Sequence, residues 1–129
     1  MPVDIIVVDD EPSLADTLAM IFQRAGYSSR AAYSGEQALA LVSLRPPALA
    51  IIDVVMPGMN GLVLAEAIRA LLPGCRVLLF SGNADTEGLL EAARSEGQVY
   101  EVLAKPVPPG QLLAKVADML GQKSCACGR

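Results

Sequence analysis

The chain has 129 residues, of which 53% are hydrophobic and 4% aromatic, and its formal net charge is −4. This length suits one domain whose core is large enough to fold without disulfides. The acidic balance and the few aromatic residues exclude a basic, base-stacking nucleic-acid surface, and no apolar stretch of the sequence is long enough to cross a membrane.

Strand and helix patterns alternate along the chain, which predicts βαβ units and a parallel sheet. The first strand is predicted over residues 3–8 and the second, weaker strand over residues 28–32. Between them, Pro12 suits the first turn of a helix, and Gly26 suits its end.

The second helix is predicted to begin at Ser34, because Ser34 and Gln37 match a capping box, and to continue through Leu44. Pro46 and Pro47 end it, and the turn residues from Pro57 to Gly61 form a loop. The later strands are predicted over residues 48–53, 76–81 and 99–104, and the later helices over residues 62–72, 86–95 and 109–120.

Four of the predicted strands end on residues suited to phosphoryl chemistry. These residues are the pair Asp9 and Asp10, then Asp53, Ser81 and Lys105. Ligands of parallel α/β sheets bind at the carboxyl ends of the strands, so neighbouring strands would bring these groups to one edge. Singly, each has an ordinary interpretation as a helix cap, a buried structural carboxylate, a strand end or a surface charge. Their joint occurrence favours a functional site.

The chemistry of these groups is complementary. Asp9 and Asp10 repel each other unless a cation lies between them, and Mg²⁺ prefers carboxylate and phosphate oxygens. Asp53 is the group best placed for nucleophilic attack on phosphorus. Ser81 and Lys105 would then donate a hydrogen bond and a positive charge to the phosphoryl oxygens.

Four segments resemble the receiver domain of bacterial two-component response regulators, and the similarity covers about residues 3–120. They are residues 7–12 (Val-Val-Asp-Asp-Glu-Pro), residues 53–61 (Asp-Val-Val-Met-Pro-Gly-Met-Asn-Gly), residues 81–82 (Ser-Gly) and residues 105–106 (Lys-Pro). The resemblance implies a flavodoxin-like α/β fold, a doubly wound parallel sheet of five strands in the order 2-1-3-4-5 with five helices. It assigns residues 1–121 to the receiver domain, and we expect residues 122–129 to be a disordered tail.

The resemblance also implies a phosphoacceptor switch. Asp53 would accept a phosphoryl group from a phosphohistidine of a sensor histidine kinase or a histidine phosphotransfer protein. Asp10, Asp53 and the main-chain carbonyl of Val55 would bind Mg²⁺, with Asp9 assisting through water. Ser81 and Lys105 would contact the phosphoryl group.

Two positions depart from the family pattern. Receivers usually carry an aromatic residue three positions before the lysine, where this chain has Val102, and a phenylalanine after Lys-Pro, where it has Val107. Tyr100 lies on the same side of the predicted strand as Val102 and is the candidate to replace the aromatic switch. These departures leave the acceptor chemistry intact. They predict that the coupling of Ser81 to an aromatic residue is weakened or runs through different residues.

We expect phosphorylation to change the face formed by the predicted helix at residues 86–95, the fifth strand and the last helix. The partners would be a downstream protein or a second, phosphorylated copy of the chain, with no direct contact to nucleic acid or membrane. The first residues show no secretion signal, which predicts a cytoplasmic location. The chain would promote its own phosphorylation and dephosphorylation without turning over external substrates.

Three alternatives stand beside this interpretation. One is an interaction module whose acidic site is vestigial. Another is a phosphatase like the haloacid dehalogenases, but these carry a second aspartate two residues after the nucleophile, where this chain has Val55. A kinase is the third and is disfavoured because the chain has no histidine and no Gly-rich nucleotide loop. Cys75 is interpreted as incidental, and Cys125 and Cys127 are either part of a disordered tail or a soft-metal or redox pair.

Overall fold

The computed structural model describes residues 3–54, 56, 58, 60–81, 101–104 and 108–121, and for Ser81, Glu101 and Ala104 it describes the main chain only. Each element of this part of the chain lies within two residues of its predicted range. The predicted helix at residues 86–95 and the predicted tail fall outside the described residues. Val55, Tyr100, Lys105, Val107, Cys125 and Cys127 also fall outside them.

Five strands form one parallel sheet. They are β1 (Asp4–Val8), β2 (Ser28–Ala32), β3 (Leu49–Asp53), β4 (Arg76–Ser81) and β5 (Glu101–Ala104). Their order in the sheet is β2-β1-β3-β4-β5, which confirms the predicted flavodoxin-like arrangement. Because β1 and β3 are neighbours in the middle of this order, the chain reverses its winding direction between them, and this switch point is where such folds bind ligands.

The first helix begins at the predicted residue, and the second helix begins one residue after Ser34, which caps it. Helix α1 (Pro12–Arg24) starts with proline, and Gly26 follows its end with a φ of 102°, a conformation that favours glycine. Helix α2 (Gly35–Leu44) is capped by the Ser34 hydroxyl, which accepts a hydrogen bond from the Gln37 N–H at 3.1 Å. The Gln37 side chain accepts from the Tyr33 N–H instead of from that of Ser34, so the predicted capping box closes one residue earlier.

Helix α3 (Gly61–Leu71) follows the loop after β3, and the last helix (Pro109–Met119) follows β5. The side chain of Asn60 caps α3 by accepting a hydrogen bond from the Val63 N–H at 3.0 Å. The sequence pattern predicts the start of this helix one residue later and identifies Asn60 only as a turn residue. No helix in the described part of the chain is both long and apolar enough to cross a membrane.

The sheet separates two apolar clusters, one on each face. Alternate strand residues point to opposite faces, so Ile6 and Ile52 pack against α2 and α3 while Ile5 and Ile51 pack against α1 and the last helix. All five residues of β3 are buried, as expected for a central strand covered on both faces. A sheet held in this way is a rigid support for the residues at its carboxyl edge.

Cys75 lies buried in the cluster under α2 and α3 and forms no disulfide. Burial raises the pKa of its thiol to about 11, although a hydrogen bond from the Ala50 main chain acts in the opposite direction. A raised pKa means that the protonated thiol stabilises the fold. That stabilisation is complete below the pKa of the unfolded thiol, about 9, and is lost as the pH approaches 11.

We therefore expect iodoacetamide at pH 8 to leave Cys75 unmodified in the native protein and to modify it rapidly in urea. The folded state holds about a hundredfold less thiolate than the unfolded state at this pH, and burial adds steric protection. Peptide mass mapping after timed quenching measures the modification of each cysteine separately. Equal modification rates at Cys75 in buffer and in urea would show that the thiol is accessible in the native protein.

Candidate functional site

Strand register brings the acidic residues to one edge of the sheet. Val8 of β1 lies opposite Ile52 of β3, so Asp9 and Asp53 occupy the next positions of two adjacent strands. Asp53 in turn lies opposite Phe80 of β4, and the main chain of Ser81 pairs with that of Ala104 in β5. The carboxyl ends of four adjacent strands therefore lie side by side, as the sequence predicts.

Asp9, Asp10 and Asp53 form a cluster in which each residue offers one carboxylate oxygen within 4.8 Å of the others. Asp9 is 1% exposed and Asp53 8% exposed, whereas Asp10 is open to solvent. Three carboxylates this close repel one another unless a cation or hydrogen-bond donors offset their charge. Carboxylate oxygens are the ligands that Mg²⁺ prefers, and a partly exposed site leaves room for water and phosphate oxygens to complete its coordination shell. The residues present therefore fit a magnesium ion.

The turn between β1 and α1 fixes Asp9. Its carboxylate accepts a hydrogen bond from the Glu11 N–H at 3.0 Å, and its own N–H donates to the Ala32 carbonyl at 3.1 Å. Glu11 occupies the N-cap position of α1, but its side chain makes no capping hydrogen bond. These two hydrogen bonds hold Asp9 in the turn, while Asp10 is exposed to solvent beside it.

The main chain around Asp53 is held from two sides. On the sheet side, the Val54 N–H donates to the Phe80 carbonyl at 3.0 Å, which extends the pairing of β3 with β4 past Asp53. On the helix side, the Gly61 N–H donates to the Val54 carbonyl at 2.8 Å. The loop between β3 and α3 is consequently closed at its base, directly after the candidate acceptor.

The other predicted site residues are described in part. The main chain of Ser81 ends β4 at the same edge as Asp53. The side chain of Ser81 falls outside the described part of the chain, as do Val55, Tyr100 and Lys105. Val102 lies on β5 opposite Leu79 and packs, half-buried, against the cluster under α2 and α3. The aliphatic side chain at this position therefore contacts the apolar cluster beside β4 and is partly exposed.

Sequence reasoning missed the role of Gly61. The sequence pattern predicts a turn at Asn60 and Gly61, yet Gly61 is the first residue of α3 and is buried against the main chain of Asp53. The signal in the sequence is a glycine directly before an apolar helical pattern. The φ angle at this position is not positive, so backbone conformation does not require glycine here. Such a glycine indicates a close approach of two main-chain segments.

Comparison with known proteins identifies the family. A family model described as the response regulator receiver domain matches residues 5–117. The chain belongs to this family. A receiver domain of two-component response regulators is a phosphoacceptor switch, and the acidic edge described above fits that function.

Relatives and solved structures agree with this assignment. The receiver domain is 33% identical over 116 residues to the DNA-binding response regulator MtrA of Mycolicibacterium smegmatis, covering 90% of this chain and 50% of that protein. It superposes on NtrX of Brucella abortus with a TM-score of 0.82 at 31% identity, covering 94% of this chain and 27% of that one. A CheY-like receiver domain protein of Methanospirillum hungatei gives a TM-score of 0.84 at 26% identity, with 98% and 100% of the two chains covered. The chain thus spans about half the length of the MtrA proteins that it matches.

Proposed function

We propose that this receiver domain accepts a phosphoryl group on Asp53 from a phosphohistidine donor. The observation that carries the proposal is the cluster of Asp9, Asp10 and Asp53 at the carboxyl edge of the sheet. Asp53 is 8% exposed, and the main chain directly after it is held on the sheet side and the helix side by the hydrogen bonds of Val54. A protein promotes phosphoryl transfer mainly by positioning the reacting groups and by stabilising the developing charge.

The transfer exchanges one bond to phosphorus for another. A carboxylate oxygen of Asp53 attacks the phosphorus in line with the leaving imidazole nitrogen, which keeps the electron pair of the broken P–N bond. The product is an acyl phosphate on Asp53. Asp10 and Asp53, together with the Val55 carbonyl, would hold Mg²⁺, and Asp9 would assist through water. When bound, this ion neutralises charge on the transferred group.

Ser81 and Lys105 complete the proposed site. The main chain of Ser81 ends at the correct edge, and the family pattern assigns to both side chains contacts with the phosphoryl oxygens. A hydroxyl supplies one directed hydrogen bond and an ammonium group supplies positive charge. The donor would be a sensor histidine kinase or a histidine phosphotransfer protein, and a cytoplasmic location follows from such partners.

We further propose that the output differs from that of receivers with an aromatic switch. Val102 packs, half-buried, against the apolar cluster beside β4, and valine has no hydroxyl or ring that could respond to the state of Ser81. Tyr100 is the candidate replacement. The output would pass through the face that includes β5 and the last helix to a downstream protein or to a second copy of the chain.

Small-molecule phosphodonors test the proposed function directly. Wild-type protein incubated with phosphoramidate and Mg²⁺ is expected to gain the mass of one phosphoryl group, and hydroxylamine is expected to remove it because acyl phosphates are cleaved by that nucleophile. The control is the same incubation with a chelator, in which the gain should be lost. No mass change in the presence of Mg²⁺ would favour the alternative of an interaction module with a vestigial acidic site.

A further inference from the structure

Gly61 is in unusually close contact with the peptide of Asp53. A Cβ atom added to Gly61 would lie 2.3 Å from the Asp53 carbonyl oxygen, 2.7 Å from the Val54 Cα and 2.9 Å from the Asp53 carbonyl carbon. All three atoms belong to the main chain, so no flexible side chain can move aside. Any residue other than glycine at this position must therefore displace the first turn of α3 or the main chain of Asp53.

Glycine is required at position 61 because there is no space for a side chain, and not because of the backbone conformation. The described glycines with a positive φ are Gly26, Gly58 and Gly121, and a Cβ at each of these would meet nothing within 4 Å. Gly61 has the opposite combination, because its φ is not positive and main-chain atoms occupy the space that a side chain would need. Among Gly26, Gly58, Gly61, Gly74, Gly110 and Gly121, Gly61 is the one at which an added Cβ would meet other atoms.

We propose that Gly61 is a positioning residue for phosphoryl transfer to Asp53. Its missing side chain lets the N-terminus of α3 lie directly against the Asp53 peptide, and its N–H locks that contact by donating to the Val54 carbonyl at 2.8 Å. Together with the bond from the Val54 N–H to Phe80, this contact sets the position of the Asp53 carboxylate relative to Asp9. The inference rests on the proposed function of Asp53.

An alanine at this position is expected to slow phosphorylation strongly. Restoring ordinary van der Waals separation from the Asp53 oxygen requires a shift of about 1 Å, and a misplacement of this size in a reacting group can slow a reaction about a hundredfold. The shift moves Asp53 relative to the rest of the acidic cluster, so saturation with Mg²⁺ does not restore the rate. Loss of the Asn60 cap alone would not produce this effect, because it leaves the Asp53 peptide untouched.

The experiment compares Gly61→Ala with Gly74→Ala and Gly110→Ala. A Cβ at either control position meets nothing within 4 Å and neither has a positive φ. Phosphorylation rates with phosphoramidate at saturating Mg²⁺ should fall about a hundredfold in Gly61→Ala and stay within about twofold of wild type in both controls. Rates are measured at a temperature where circular dichroism shows every variant to be folded.

A second control separates positioning from loss of stability. Ile68→Ala removes a buried side chain from the same helix, two turns beyond Gly61, and destabilises the fold without adding an atom near Asp53. The folded fraction of Ile68→Ala should be phosphorylated at the wild-type rate, whereas that of Gly61→Ala should not. If Gly61→Ala is unstable, it is combined with Gly110→Ala, which stabilises because alanine favours a helix over glycine.

The possible outcomes are distinct. If wild-type protein is not phosphorylated, the proposed function itself fails. If wild type is phosphorylated and Gly61→Ala reacts at the rate of its controls, Gly61 has no positioning role. If Gly61→Ala remains unfolded even with Gly110→Ala, the glycine is a requirement of the fold as a whole, which also overturns the proposal.

Discussion

Replacing Asp53 with asparagine is expected to reduce phosphorylation by phosphoramidate by at least about four orders of magnitude, as removal of a nucleophile does in other covalent mechanisms. Asparagine has the shape of aspartate, so it fits the same nearly buried position at the end of β3. Its amide oxygen is a poor nucleophile and cannot form an acyl phosphate. The variant therefore removes the reaction and keeps the fold.

A second substitution in the same cluster is the matched control. Asp10→Asn also removes one of the three carboxylates, but Asp10 is exposed and is assigned to binding the cation and not to attack. Its phosphorylation rate should fall at low Mg²⁺ and recover as Mg²⁺ is raised, because the remaining carboxylates still bind the ion more weakly. Asp53→Asn should not recover at any Mg²⁺ concentration.

Measured rates over a magnesium titration distinguish the two roles. Phosphorylation of Asp53→Asn at a rate near that of wild type would mean that another residue is the acceptor. A rate for Asp10→Asn that does not depend on Mg²⁺ would mean that the cluster does not bind the cation. Thermal unfolding with and without Mg²⁺ checks binding independently, since a ligand that binds the folded state raises the midpoint of unfolding.

Much of the fold could be predicted because its local signals agree with one another. The apolar runs of β1 and β3 have the continuous pattern of strands buried on both faces, and Pro12 and Ser34 mark helix starts by mechanisms that do not depend on the rest of the fold. The element order then leaves few topologies open, because parallel crossovers are almost always right-handed. The order of the strands in the sheet followed from the resemblance to a family.

The candidate site was predictable where it depends on strand ends. Asp9 and Asp53 come together because register places consecutive residues of adjacent parallel strands side by side. The contact between Gly61 and the Asp53 peptide was not predictable, because it depends on how closely α3 approaches β3. Sequence patterns encode which face of a helix is buried but not the distance of its first turn from a neighbouring strand.

We expect the stability of the sheet to depend on packing that is separate from the acidic edge. Replacing Phe22 tests this expectation. Phe22 is 0% exposed between α1 and the sheet, and its ring meets that of Tyr27 edge to face, with centroids 6.1 Å apart. Phe22→Ala should lower the free energy of unfolding by about 3–5 kcal/mol, because it removes a large apolar surface and leaves a cavity. Urea denaturation followed by circular dichroism measures this change.

Met20 on the same helix provides the control, since it is 49% exposed and Met20→Ala should change the free energy of unfolding by less than about 0.5 kcal/mol.

Phe22 also lies far from the acidic cluster. It follows Pro12, the first residue of α1, by ten residues, which is about 15 Å along the helix axis from the turn that carries Asp9 and Asp10. The folded fraction of Phe22→Ala should therefore be phosphorylated at the wild-type rate. A slower rate in folded Phe22→Ala would mean that packing under α1 contributes to the position of the acidic residues, so that fold stability and acceptor chemistry are coupled through this helix.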